Sequence, residues 1–275
     1  MSRQEFSAHI EHDLYLLLTT DNKSNQLIEM MKYATLTGGK RLRPQAIYLG
    51  AQAVGGDTKK LDEKLRALAI GLELIHCYSL VHDDLPGMDN DSLRRGKPTV
   101  HKLYGVANAI LTGDALLNLA MEKFLEGILK YKDENFTKAA YRIAECAGYN
   151  GMIFGQYLDM KGIGKDIPSL IKLNSYKTGK LFEAAFSAGG ILAGGKESDI
   201  KALSNFGQNI GAAFQILDDI RDMGKDEISV AKVAGEQKAR GYCVYYMSAA
   251  KKESEKLANK EELNALADEM AQGSY

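Results

Sequence analysis

The stretch LDEKLRALAIGLELIHCYSLVHDD, residues 61 to 84, carries apolar side chains at the spacing of one helical face. Leucines recur every three or four positions, at Leu61, Leu65, Leu68 and Leu72. A repeat of this period is typical of an amphipathic helix that buries one side. The stretch therefore predicts a long helix that ends at two adjacent aspartates.

The same periodicity continues along most of the chain, and glycine pairs such as Gly38–Gly39 interrupt it. Only four prolines occur, and proline breaks helices because it lacks the N–H donor and clashes with the preceding turn. The predicted helices cover residues 2 to 19, 24 to 36, 41 to 54, 60 to 84, 104 to 131, 133 to 161, 168 to 193, 197 to 223, 235 to 256 and 260 to 272. We therefore predict an all-α single domain, residues 1 to 275, built as a bundle of about ten helices around a shared cavity.

Composition limits the classes of partner. The chain has 35 basic and 36 acidic residues, a balance that argues against a general nucleic-acid surface. Cys77, Cys146 and Cys243 are widely spaced and odd in number, which indicates reduced thiols rather than a disulfide framework or a zinc site. No apolar run reaches the roughly 18 residues of a membrane span, and the first residues lack a cleavable leader pattern, so we expect a cytoplasmic protein without a membrane span.

Two acidic clusters follow predicted long helices. In VHDDLPGMDNDSLRRGKPTV, residues 81 to 100, a Pro-Gly break separates Asp83 and Asp84 from Asp89, and a bend there would fold Asp89 back toward Asp83. In FQILDDIRDM, residues 214 to 223, three aspartates share one helical face. The second set is formed by Asp218, Asp219 and Asp222.

Carboxylates at a helix C-terminus repel one another and oppose the helix dipole, unless a cation lies among them. Clusters of oxygen ligands without an adjacent Cys or His set suit Mg²⁺, which proteins hold through one or two carboxylates together with waters and substrate phosphates. The alternative is that each acidic run is a solvated helix face. Two clusters with basic residues close by favour the metal.

Basic residues form a complementary pattern. GGKRLRP, residues 38 to 44, and RRGKP, residues 94 to 98, each combine arginines with a lysine beside glycine and proline. Arginine binds phosphate oxygens in a bidentate manner and lysine supplies a compact charge, so these segments suit a polyphosphate held directly by protein. The residues are Lys40, Arg41, Arg43, Arg94, Arg95 and Lys97. The sequence therefore predicts two diphosphate sites, one with Mg²⁺ and one without.

In this order, five motifs resemble those of the short-chain trans-prenyl diphosphate synthases, above all the bacterial farnesyl diphosphate synthases (geranyltranstransferases). They are GGKRLRP at 38 to 44, HDDLPGMDNDSLRRGKPT at 82 to 99, GQYLDM at 155 to 160, KTG at 177 to 179 and FQILDDIRD at 214 to 222. The resemblance implies the isoprenoid synthase fold, in which both Asp-rich motifs face each other across a deep all-helical cavity. It also implies three Mg²⁺ ions per active site and a homodimer.

The resemblance implies a role for each matching residue. Metal ligands would be Asp83, Asp84, Asp89, Asp218, Asp219 and Asp222. Isopentenyl diphosphate would be bound by Lys40, Arg43, His76 and Arg95. The allylic diphosphate would be bound by Arg94, Lys177 and Lys225, while Thr178 and Gln215 would lie near the developing carbocation. Gln156 and Asp159 match a pair beside the metal and Lys177.

The implied reaction is ionisation of dimethylallyl or geranyl diphosphate followed by attack of isopentenyl diphosphate, with a C15 product. Fixed cations and metal ions lower the barrier to ionisation by stabilising the charge that develops. Tyr78 and Ser79 precede Asp83 by about one helical turn, roughly 5 to 6 Å, and an aromatic there resembles the farnesyl-producing pattern of a cavity floor. A tyrosine on a buried helix is otherwise ordinary core. Geranyl or geranylgeranyl diphosphate remains an alternative product.

The sequence departs from the family after Asp222, where MGKDEISVAKVAGEQKARG is shorter than the usual loop with its two lysines. Lys225 matches the first lysine, and Lys232 is a candidate for the second. This departure keeps a non-catalytic binding subunit open as an alternative. A terpene cyclase would also use an Asp-rich Mg²⁺ site, but it has no need for the second, basic pocket.

Overall fold

A computed structural model describes residues 1–19, 25–162, 166–223 and 228–272. The chain forms two compact units, each with its own set of helices. The first comprises Met1–Gln45 and Asp62–Asp133, and the second comprises Ala46–Leu61 and Glu134–Tyr275. Secondary structure in both is almost wholly helical, which confirms the all-α prediction.

Long helix α4 (Asp62–Asp83) is the centre of the first unit. It packs most extensively against α6 (Val106–Tyr131), and its leucines at 65, 68 and 72 are fully buried, as the period of the opening stretch predicts. The helices of this unit are α1 (Arg3–Thr19), α2 (Gln26–Leu36), the start of α3 (Leu42–Ala53), α4 (Asp62–Asp83), α5 (Val100–Tyr104) and α6 (Val106–Tyr131). A short antiparallel hairpin, β1 (Leu93–Arg94) and β2 (Lys97–Pro98), follows α4 and carries the second basic segment.

In the second unit, α11 (Glu197–Arg221) packs against α10 (Lys180–Leu192) and α13 (Glu236–Ser254). The helices are the remainder of α3, α7 (Glu134–Ala147), α8 (Met152–Met160), α9 (Ile167–Asn174), α10 (Lys180–Leu192), α11 (Glu197–Arg221), α12 (Val230–Ala234), α13 (Glu236–Ser254) and α14 (Glu261–Gln272). Phenylalanines form the largest part of this core, with Phe186 and Phe206 edge to face at 4.9 Å between ring centroids.

Three predicted helices are interrupted. The one predicted over 104 to 131 begins only after Gly105, which ends α5. That predicted over 133 to 161 is two helices, because the Gly-rich segment 148–151 separates α7 from α8. That predicted over 168 to 193 contains a π-helical turn, Ser175–Gly179, between α9 and α10. The strands and α12 are short and were not predicted.

Cys77, Cys146 and Cys243 are all free and buried. None of the described helices combines the length and the apolar character that a bilayer crossing requires.

A buried carboxylate, Glu183 on α10, joins three helices of the second unit. It pairs with Arg142 of α7 and with Lys180 at 2.9 Å, and it accepts a hydrogen bond from Gln208 of α11 at 2.7 Å. Only 3% of Glu183 is exposed, so its negative charge is the buried acceptor for all three of these side chains. This network stabilises the helices that carry the catalytic candidates of the unit.

We expect Glu183→Ala to lower the free energy of unfolding by about 3 kcal/mol, because it leaves Arg142 beside a vacated, buried position. Urea unfolding followed by circular dichroism measures the change. Glu145→Ala is the control, because Glu145 is exposed and contacts the same arginine. An equal loss in both variants would contradict the assignment.

Candidate active site

The first carboxylate cluster lies where α4 ends. The N–H of Asp89 donates to the carbonyl of Asp83 at 2.9 Å, so the chain turns back on the last turn of the helix. The turn is completed by hydrogen bonds from Met88 and Asn90 to the carbonyl of Leu85, at 2.8 and 3.1 Å. The backbone of Asp89 thus returns to Asp83, as the Pro-Gly break predicts.

Asp84 is the most buried member of this cluster, with 5% of its surface exposed. Its Oδ1 accepts from Nε of Arg94 at 3.0 Å and from the same guanidinium's Nη2, which also contacts Asp91 at 2.9 Å. Burial raises the pKa of Asp84 above its ordinary value, although Arg94 opposes this rise. The negative charge of the ionised cluster therefore exceeds the positive charge that Arg94 supplies, and a further cation would stabilise the cluster.

A basic cluster occupies the same unit. Nη1 of Arg43 lies 3.2 Å from Nε2 of His76 on α4. Burial, followed by the positive charge of Arg43, lowers the pKa of His76 well below its ordinary value, so the imidazole is neutral and accepts the arginine's hydrogen bond. Arg95 donates to the carbonyl of Gly38, and its guanidinium lies against Gly39, where a Cβ would stand only 3.0 Å from it. Lys40 is exposed beside them.

Arg41 does not belong to this basic cluster, contrary to the grouping made from sequence. It is 4% exposed and pairs with Glu73 at 2.5 Å and Glu11 at 2.6 Å, while its third contact is the carbonyl of Thr35 at 2.7 Å. Burial would lower its pKa, but Glu73 and Glu11 raise it above the ordinary value. Arg41 therefore fixes the loop that carries Lys40 and Arg43.

In the second unit, the π-helical turn presents Lys177 and Thr178. Nζ of Lys177 contacts Oδ2 of Asp159 on α8 at 2.6 Å. Gly155 makes this approach possible, since a Cβ there would lie 2.2 Å from the backbone N of Lys177. A π-helical turn inserts one residue into the helical ladder and often occurs at functional sites. No local sequence pattern indicates this turn.

A chain of hydrogen bonds leads from this turn into the second carboxylate cluster. Oγ1 of Thr178 donates to Oε1 of Gln215 at 2.7 Å, and Nε2 of Gln215 donates to Oδ1 of Asp219 at 3.1 Å. Oδ2 of Asp219 accepts the N–H of Val230 at 3.1 Å. Sequence reasoning identified the first three residues but missed Val230, although the N-cap Ser229 could have indicated a helix start there.

The other two aspartates of this cluster are more open. Oδ1 of Asp218 lies 3.2 Å from Nη1 of Arg221, and Asp222, exposed, ends α11 one turn later. Lys225, predicted to contact the allylic diphosphate, lies outside the described residues. Lys232 is exposed on α12.

Tyr78 and Ser79 differ in what their side chains contact. Ser79 donates back to the carbonyl of His76 at 2.9 Å, so its hydroxyl is used within α4. Tyr78 is 6% exposed, its ring meets His82 edge on, and its buried hydroxyl has no hydrogen-bond partner among the described residues. Burial, with a smaller contribution from Asp83, raises the pKa of Tyr78 to about 12. Of the two side chains, that of Tyr78 is the bulkier and the more buried.

The donor chemistry of both clusters fits Mg²⁺. Within the described ranges, no three carboxylate, histidine or cysteine side chains are close enough to form a metal cage of their own. Mg²⁺ does not require one, because it keeps several waters and takes phosphate oxygens as ligands. Gln156, one residue after Gly155, has a buried amide whose oxygen and nitrogen both lack a partner within the part of the chain that the structure describes, which suits contact with metal-bound water.

A family model described as polyprenyl synthetase matches residues 24 to 273. The chain belongs to the polyprenyl synthetase family. This match confirms the resemblance drawn from the motifs.

Curated relatives of this chain are named for different products. Farnesyl diphosphate synthase of Escherichia coli (strain K12) is 39% identical over 227 residues, covering 81% of this chain and 75% of the relative. Geranylgeranyl pyrophosphate synthase 4 of Arabidopsis thaliana is also 39% identical, over 78% of this chain, but the aligned region spans only 58% of the plant protein.

Solved structures agree over nearly the whole chain. An FPP/GFPP synthase from Zymomonas mobilis has a TM-score of 0.85 and 32% identity, covering 98% of both chains. A geranyltransferase from Legionella pneumophila has a TM-score of 0.86 and 31% identity, covering 99% of this chain and 96% of the other. The all-α architecture is therefore that of isoprenoid synthases.

Proposed function

We propose that the protein is a trans-prenyltransferase that condenses isopentenyl diphosphate with dimethylallyl and then geranyl diphosphate to give farnesyl diphosphate. One observation carries the proposal: a single unit holds both a carboxylate cluster and a separate basic cluster. Asp83, Asp84 and Asp89 suit a metal-bound diphosphate, whereas Arg43 with neutral His76 suits a diphosphate bound directly. A terpene cyclase would need only the first of these sites.

Each group of residues then has a distinct task. The carboxylates of each cluster would hold Mg²⁺, which supplies charge stabilisation to the leaving diphosphate when it is bound. Arg94 and Lys177, each now paired with an aspartate, contact the allylic diphosphate. Thr178 and Gln215 present oxygen atoms toward the positive charge on carbon.

The basic cluster binds the second substrate. Arg43, oriented by His76, makes a charged hydrogen bond to the diphosphate of isopentenyl diphosphate, with Lys40 and Arg95 as further cations. Since His76 is neutral, it adds a dipole rather than a fourth positive charge. No side chain is assigned as the base, and the released diphosphate accepts the proton after C–C bond formation.

A homodimer is part of the proposal. Helix α6 exposes a set of large apolar side chains along one side, between 42% and 75% exposed, that a second copy would cover. They are Val106, Ile110, Leu111, Leu125 and Leu129.

We also propose a cytoplasmic location for the protein. The two lysines of the shortened loop are proposed to be Lys225 and Lys232.

Incubation of the purified protein with Mg²⁺, isopentenyl diphosphate and each allylic primer tests the function, with product sizing by chromatography. A C15 diphosphate is expected. A cyclic hydrocarbon would instead assign a cyclase. Absence of condensation with every primer would assign the alternative function, a binding subunit, for which the shortened loop is the motivating observation.

Product length depends on Tyr78 in this account. We expect Tyr78→Ala to shift the main product from C15 to C20 or longer, because it removes a buried ring one turn before Asp83. Product sizing with geranyl diphosphate as primer measures the shift. Ser79→Ala is the matched control and should leave the length unchanged. A wild-type C20 product, or an unchanged product in Tyr78→Ala, would refute the proposal that Tyr78 limits the product length.

A further inference from the structure

We propose that Asp219 is a positioning residue rather than a metal ligand, and that it joins the Thr178–Gln215 pair to the first residue of α12. The inference removes Asp219 from the metal ligands of the proposed function. It rests on that function only for the measurements of metal affinity and activity. It concerns the part of the chain that follows the shortened loop, where the family pattern gives no guide.

The two oxygens of Asp219 already have separate partners. Oδ1 accepts from the Gln215 amide and Oδ2 accepts from the backbone N–H of Val230, both at 3.1 Å. Only 9% of Asp219 is exposed, whereas Asp218 is about one-third exposed at its side chain and contacts Arg221. A metal ion with its shell of waters has access to Asp218 that it lacks at Asp219.

These hydrogen bonds determine which way Gln215 faces. Because a carboxylate only accepts, it requires the NH₂ of Gln215, which turns the amide oxygen toward Thr178. The orientation of the oxygen nearest the reacting carbon is therefore set by Asp219. The same carboxylate fixes α12, since Val230 and Ala231 are fully buried and α12 packs against α11, α9 and α13.

Substituting Asp219 with asparagine or with leucine distinguishes a positioning role from metal ligation. An asparagine can still accept from Val230 through its oxygen, while its NH₂ donates to a flipped Gln215 whose own NH₂ then donates to the hydroxyl of Thr178. Leucine has similar volume but accepts nothing, so it leaves the Val230 N–H buried and unpaired. A metal ligand would instead be lost in both variants, because an amide binds Mg²⁺ far less well than a carboxylate.

The test measures amide hydrogen exchange of residues 230 to 235 and Mg²⁺ affinity in the presence of pyrophosphate. We expect Asp219→Asn to keep metal affinity and α12 exchange rates within about threefold of wild type, but to lower kcat about tenfold, because the flipped Gln215 no longer turns its oxygen toward Thr178. Asp219→Leu should raise exchange in α12 about tenfold, the equivalent of about 1.4 kcal/mol, and lower kcat with an unchanged KM for isopentenyl diphosphate. Asp218→Asn, the matched control, should weaken metal binding at least tenfold and leave exchange unchanged.

Val230→Pro keeps the inference testable if the leucine variant fails to fold. Proline is tolerated at the first position of a helix, and Ser229 already has the extended backbone, φ −139° and ψ 167°, that precedes proline. This variant removes the donor, so exchange at 231 to 235 should rise while metal affinity stays within threefold. Equal metal loss in Asp219→Asn and Asp218→Asn, or unchanged α12 exchange in Val230→Pro, would overturn the proposal. If wild type binds no metal, the proposed function fails, and the exchange data still decide the positioning of α12.

Discussion

Asp83→Asn is expected to lower kcat for farnesyl diphosphate formation about a thousandfold, which corresponds to about 4 kcal/mol of transition-state stabilisation. The carboxylate stands at the C-terminal end of α4, where its charge is unfavourable without a cation. Asparagine has nearly the same shape but no charge, so the metal that stabilises the leaving diphosphate is held less well. Steady-state kinetics at saturating Mg²⁺ and substrate measure the loss.

The control for Asp83→Asn is Glu126→Gln, an exposed carboxylate on α6 that lies beside Glu63 and Arg66, at the opposite end of α4 from Asp83. It removes the same charge far from the first cluster, and its kcat should stay within twofold of wild type. Thermal unfolding should show that Asp83→Asn remains folded, because asparagine keeps nearly the same side-chain shape. A kcat within threefold of wild type in Asp83→Asn would contradict the metal assignment.

Arg43→Gln is expected to raise the KM for isopentenyl diphosphate about a hundredfold while the KM for the allylic substrate stays within threefold. A hydrogen bond to a charged group is worth about 1.5 to 3 kcal/mol, and the loss of its positive charge leaves the diphosphate less neutralised. Initial rates with one substrate varied at a time separate the two constants.

Two further variants test how Arg43→Gln acts. Lys102→Gln removes an exposed positive charge on α5 and should leave both KM values unchanged. His76→Ala should raise the KM for isopentenyl diphosphate about tenfold, because Arg43 loses the acceptor that orients it. If Arg43→Gln raised both KM values equally, the basic cluster would not be a separate diphosphate site.

Local patterns predicted the helix ends that matter most. The leucine repeat of residues 61 to 84 buries one face of α4 and therefore fixes where Asp83 lies, and the same reasoning places Asp218 in the last turn of α11. The Pro-Gly break predicted the return of Asp89 to Asp83, because it ends the helix within three residues of Asp83. The chemistry of both clusters was readable for the same reason.

Contacts between distant residues were not predictable from these patterns. The partner of Arg41 is Glu73, 32 residues away, and nothing in GGKRLRP distinguishes a buried arginine from one that binds phosphate. The π-helical turn at 175 to 179 adds one residue to a helix whose apolar spacing looks continuous. The bond from Val230 to Asp219 depends on where a five-residue helix packs, which the sequence of that segment does not encode alone.

The central claim is that the first unit binds two diphosphates separately, one through Mg²⁺ at Asp83, Asp84 and Asp89 and one directly at Arg43 and His76. Calorimetric titration of a bisphosphonate in the presence of Mg²⁺, with wild type, Asp83→Asn and Arg43→Gln, tests it most directly. We expect Asp83→Asn to weaken magnesium-dependent binding about tenfold or more, because a carboxylate ligand is lost, whereas Arg43→Gln should bind within about threefold of wild type. An equal loss of affinity in both variants would show that the two clusters serve one ligand and would contradict the claim.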